Sequence, residues 1–166
     1  MSVVSTDLKL YCSVNMPNDD TSLNGGAIDA ASEITGALDE VFKDAYSKET
    51  GGGDRIVYRK VFFKNTNGAT TLEDVKIWMS ADEHDYITLD LESAINGTDT
   101  STNRITAPAG YTFAEHASEG AAHALPGDGN LDAGEAIGVW LKKTIPENQA
   151  PDASITATLK VKGKTT

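Results

Sequence analysis

The segment "DGNLDAGE" sets Asp128, Asn130 and Asp132 at i, i+2 and i+4, with Glu135 close behind. Hard oxygen ligands at that spacing can wrap calcium. An EF-hand loop, however, needs Gly at its sixth position and Glu at its twelfth, where this stretch has Ala133 and Val139. The preferred reading is a polar turn whose glycines allow positive φ and which leads into a strand near Ala136, with calcium binding weak or absent. His84, His116 and His123 are the only histidines, and none falls in an HExxH-type pair or beside a cysteine cluster. They are expected in loops or at the surface rather than on zinc. No serine lies in a G-x-S-x-G turn, and neighbouring carboxylates such as Asp39-Glu40 and Asp82-Glu83 are ordinary in so acidic a chain. Cys12 is the only cysteine, which excludes an intrachain disulfide; its alternation with Leu10 and Val14 points it toward a core. Gly51-Gly52-Gly53 lacks the Gly-Lys-Ser/Thr ending of a phosphate-binding loop. These residue types assemble no catalytic site, and the expected activity is binding, without a cofactor.

The charge balance narrows the partners. A net charge of −11 with a pI near 4.6 disfavours nucleic acid, whose affinity comes largely from Lys and Arg on phosphates. The acid excess is spread along the chain, which suits a solvated surface able to meet a basic protein partner. No apolar run is long enough to span a bilayer, and the N-terminus "MSVVSTDLKLYCS" lacks the pattern of a signal peptide. Synthesis in a cytoplasm without a signal peptide, and no membrane partner, is the expectation. At 39% hydrophobic and 23% charged residues, the 166-residue chain falls in the globular range, and one domain over 1–166 is expected.

The elements that must position these residues read mainly as strands. "DLKLYCSVNM" alternates Leu8, Leu10, Cys12, Val14 and Met16. "YRKVFFKNTNGATTLEDVKIWMS" reads as two strands around Asn67-Gly68, a hairpin or a tight inter-strand corner, with Trp78 facing away from Val75, Ile77 and Met79. "YITLDLES" sets Ile87, Leu89 and Leu91 against an outward polar face of Thr88, Asp90 and Glu92. "GYTFAE" reads as a short strand, "EAIGVWLKKTI" and "SITATLKVKG" as longer ones. Strands are thus expected near 7–15, 56–64, 73–80, 86–92, 136–144 and 153–162, with one short helix at most, near 32–46. Long loops fall at 17–26, 47–54, 93–108 and 115–134. Seven or eight strands separated by turn signals predict an all-β, immunoglobulin-like antiparallel β-sandwich.

The order "LKLYCSVN…SLNGGAID…YRKVFFKNTNGATTLEDVKIWMS…ITAPAGYTFAE…LDAGEAIGVWLKKTIP…ITATLKVKG" resembles a group of small structural proteins of tailed bacteriophages and prophages. In that group a K-N-T hairpin, an A-P-x-G-x-x-F segment and a G-E-x-x-x-x-W-x-[KR]-[KR]-T strand follow in this order. The likeness covers nearly the whole chain. It implies a non-enzymatic virion protein, first a multicopy capsid decoration or cement subunit bound to the major capsid protein. The alternatives are a baseplate or tail-fibre accessory subunit, or a carbohydrate- or host-surface-binding module using aromatics such as Trp78, Trp140 or Tyr111. Gly51, Gly52 and Gly53, with Trp78 and Trp140, are the expected contact residues, because a glycine run gains little by packing on its own domain and can order against a neighbour.

Overall fold

The computed structural model describes residues 2–36, 40–42, 53–82, 86–147, 149 and 156–165. The described chain is all-β: β1 (Leu8–Asn15), β2 (Asn24–Glu33), β3 (Arg55–Asn65), β4 (Glu73–Asp82), β5 (Ile87–Ile95), β6 (Thr100–Ser101), β7 (His123–Ala124), β8 (Ala136–Ile145) and β9 (Ala157–Lys164). All pairings are antiparallel. A six-stranded sheet runs β5-β8-β3-β1-β2-β6, and a three-stranded sheet runs β7-β4-β9. Val61 and Phe63 of β3, Leu89 and Leu91 of β5, and Ile137, Val139 and Leu141 of β8 meet Val75, Ile77 and Met79 of β4 in one core. That shared core makes the two sheets a β-sandwich.

The corner at residues 65–72 carries the chain from one sheet to the other, so "KNTNG" is an inter-sheet corner and not a hairpin ladder. Its sequence explains its geometry. Buried Asn65 donates to the carbonyls of Thr70 (2.9 Å) and Leu131 (3.0 Å), and its own carbonyl accepts from Asn67 N–H (3.1 Å). Asn67 in turn accepts from Ala69 and Thr70 N–H, both at 3.0 Å. Short polar side chains thus satisfy backbone groups that no ladder reaches.

Several expectations need correction. A strand, β2, occupies 24–33, where the sequence suggested a loop to 26 and then a helix. Its alternation is broken by Gly25 and Gly26, both at positive φ (94° and 90°), and by register shifts against β1. Of the helix expected near 32–46, Ser32 and Glu33 close β2, residues 34–36 and 40–42 are not helical, and the rest lies outside the described residues. "GYTFAE" forms no strand, only a bridge from Ala114 to Leu89. In β1 the buried residues are Tyr11 and Ser13, while Cys12 is half-buried and Val14 is 55% exposed. The polar face of β5 does not look outward throughout, since Glu92 is 1% exposed.

The reason lies on the far face of the large sheet. Central strands β3 and β8 are buried on both faces, because the segment 96–114 lies across the side opposite the main core. Tyr111 packs at a tilt against Trp140, 5.8 Å between ring centroids, and Phe113 against Tyr58 at 5.3 Å. Thr112 N–H donates to Asp90 at 2.6 Å, and Tyr58 N–H donates to the Arg104 carbonyl at 2.7 Å.

Candidate functional site

Under that covering segment Lys60 of β3 and Glu92 of β5 meet across β8. Both strands flank β8, and the residue between them is Gly138, opposite Phe62 in the ladder. Glycine is required there because a Cβ would stand 2.0 Å from Glu92 Oε2 and 2.8 Å from Lys60 Cε. Gly97 presses on the carboxyl group as well, its Cβ position 2.7 Å from Oε2. Lys60 Nζ stands 2.5 Å from Glu92 Oε1, with the two side chains 0% and 1% exposed. Nζ also reaches the carbonyls of Gly26 (2.8 Å), Asp99 (3.2 Å) and Gly97 (3.4 Å), and Oε1 accepts from Asp99 N–H (2.9 Å). Phe62 and Trp140 close the cage, their ring centroids 4.7 and 5.8 Å from Nζ.

Desolvation is the largest influence on both groups: it pushes the Lys60 amine down and the Glu92 carboxyl up, toward their neutral forms, against the mutual attraction that favours the charged pair. Desolvation also leads in raising the Tyr111 phenol, which donates to Asp99 at 2.7 Å. Neither Lys60 nor Glu92 stood out in the sequence. The only trace was a lysine inside an apolar strand and a glutamate on what read as a solvated face.

The residues singled out by spacing behave differently. In 128–135 the oxygens are engaged within the turn or by the 71–74 segment: Asp128 accepts from Asn130 N–H (3.0 Å) and Nδ2 (3.1 Å), Glu135 accepts from Asp132 N–H (3.0 Å), Asp132 accepts from the Thr71 hydroxyl (2.6 Å), and Asn130 Oδ1 accepts from Asp74 N–H (3.4 Å). The turn seats Leu131, fully buried and bridged to Leu72. Among the described residues no group of three or more His, Cys, Asp and Glu is placed to hold a metal ion. Trp140 is 0% exposed and Trp78 9%, so neither offers an open ring face; this corrects their expected place at a contact surface. Gly51 and Gly52 lie outside the described residues, as does His84, while Gly53 is exposed with φ +80° and open space around it. His116 and His123, seven residues apart, meet with ring centroids 5.1 Å apart and planes tilted by 57°, and His123 Nε2 lies 2.9 Å from Asp90 Oδ1.

The loop before β2 is held by carboxylates. Exposed Asp19 accepts from the backbone and hydroxyls of Thr21 and Ser22 at 2.7–2.9 Å, which holds it far below the usual carboxylate range. Asp20 is lowered first by the Arg104 hydrogen bond (2.6 Å), with Arg55 at 3.3 Å adding to it. A carboxylate depressed in the folded state contributes stability that is present above its unfolded pKa of about 3.9 and is lost as pH falls through the folded value. Glu92, raised, runs the other way. Thermal melts should therefore fall below about pH 4, and Asp20→Asn should flatten that fall relative to wild type; an unchanged acid slope would remove Asp20 from the account.

Comparisons of the chain with protein-family models, with curated proteins and with solved structures return no match. No helix among the described residues is long and apolar enough to cross a membrane.

Proposed function

We propose that this chain is a non-enzymatic accessory protein of a tailed-phage virion, a decoration or cement subunit that binds the major capsid protein through one end of an immunoglobulin-like sandwich. The resemblance in the strand and corner motifs supplies the class. The observation that carries the binding reading is that three of the exposed large apolar side chains, Val14 (55%), Leu23 (49%) and Ile105 (44%), fall in or next to strands at one edge of the large sheet; the fourth, Val4 (52%), precedes β1. The three come from neighbouring segments, since β1 pairs with β2 (Asn15 opposite Gly25) and β2 with β6 (Asn24 opposite Ser101). The adjoining loop is clamped by Asp19, Asp20 and Arg104, so little ordering entropy opposes docking. With a net charge of −11, a basic patch on the shell protein is the complementary surface.

Burial of both tryptophans favours this reading over a sugar-binding module, which needs an open aromatic face. The test is a Val14→Ser, Leu23→Ser, Ile105→Ser triple variant mixed with shells that lack the subunit. Its stability should stay within about 1 kcal/mol, since exposed substitutions cost little, while its occupancy on the particle drops at least tenfold. Wild-type occupancy on the shell would move the interface elsewhere. Localisation to the tail in density of the intact particle would favour a baseplate or fibre subunit.

A further inference from the structure

The Lys60–Glu92 pair leaves one atom without a partner. Glu92 Oε2 is buried, has no hydrogen-bond partner among the described residues, and fills the space where a Cβ on Gly138 would stand, 2.0 Å away. A carboxylate oxygen left so in the interior is costly. The neighbouring atoms are all engaged: Oε1 accepts from Asp99 N–H, and Nζ donates to Gly26 O. We propose that Lys60 Nζ and Glu92 Cδ condense in the folded chain into an intramolecular amide that staples β3 to β5 across β8.

The step needs no oxidant and no cofactor. The lone pair of the neutral amine forms the N–C bond to Cδ of the protonated carboxyl group. The C–Oε2 bond then breaks, and Oε2 departs as water, carrying its own proton and one from the amine. Charge that develops on Oε1 during attack is held by Asp99 N–H, 2.9 Å away. Holding Nζ 2.5 Å from Oε1, an oxygen bonded to the Cδ it must attack, replaces a bimolecular encounter with an intramolecular one. Phe62 and Trp140 keep out the water that would favour the reverse reaction. Burial favours the neutral forms the reaction uses. The product satisfies every remaining atom: Oε1 becomes the amide carbonyl under Asp99 N–H, the amide N–H points to Gly26 O, and the orphan oxygen is gone.

Intact-mass measurement on the purified, unfolded full chain tests this directly. The expected mass is one water below that of the sequence, in nearly all molecules. Tryptic digestion should release the segment Lys60–Lys64 joined to Ile77–Arg104, with no cleavage after Lys60. Lys60→Arg should show the full mass of its own sequence, since a guanidinium stays protonated and is no nucleophile. The decision rests on the wild-type chain, so a poorly folding variant does not blur it. Wild-type protein at full sequence mass, before and after refolding, overturns the proposal and leaves a buried ion pair. A lost water that maps to the Asp128-Gly129 peptide, where a cyclic imide can form, overturns it equally.

Discussion

Gly138→Val is expected to lower stability by about 3–5 kcal/mol, the range for breaking a buried charged pair: a Cβ there separates Lys60 from Glu92, and so both breaks the ion pair and blocks formation of the amide. A Cβ at residue 138 would stand 2.0 Å from Glu92 Oε2 and 2.6 Å from its Cδ. The carboxyl group has no room to retreat, because Gly97 approaches it from the loop. Valine must displace Glu92 or push β8 out of register with β3. Overpacking alone costs about 1–3 kcal/mol, and leaving a charge without its partner adds the rest. Against a usual total of about 5–15 kcal/mol, that is a large fraction. Gly68→Ala is the control, since nothing lies within 4 Å of its Cβ position and its φ is not positive; a change within about 0.5 kcal/mol is expected. Urea denaturation of the two variants checks the contrast. A Gly138→Val protein within 1 kcal/mol of wild type would mean that the cage around Glu92 is looser than described.

Trp140→Ala should cost about 3–5 kcal/mol, the range for deleting a large buried aromatic. The indole is 0% exposed, its Cη2 lies 2.7 Å from where a Cβ on Gly25 would sit, and Tyr111 packs at a tilt against it. Gly25, at φ +94°, is the residue that lets β2 bend over the ring. Truncation would thus open a cavity beneath β2 and the 96–114 segment together, and would remove the ring that shields Lys60. Thermal and urea unfolding give the measure. If Trp140 were a surface contact, the same substitution would leave stability nearly unchanged and weaken binding to a partner, and that result would sink this placement.

Strands β3, β4, β5 and β8 were legible because each sets apolar residues on one core, and β1 because Leu8 and Leu10 pack partly against it; β9 is described from Ala157, residues 153–155 of its expected span lying outside the described residues. The segment 128–135 was legible as a turn for a local reason: the carboxylates of Asp128 and Glu135 accept from backbone N–H groups two or three residues away. β2 was not legible, because its two glycines and its bulges break the alternation that signals a strand.

Residue types by themselves determined that this chain builds an all-β sandwich with a strong acid excess and with corners made by Asn, Asp and Gly. Local geometry suffices for that, since pleat, turn chemistry and net charge act over a few residues or add without regard to place. Only the tertiary structure decided which polar residues are inside. Lys60, Glu92 and Trp140 lie on a face that would be solvated if the large sheet had one covered side. The 96–114 segment, distant in sequence from β3 and β8, covers the other side and strips that face of water. Periodicity tells which residues share a face of a strand, but what covers that face depends on contacts made from far along the chain.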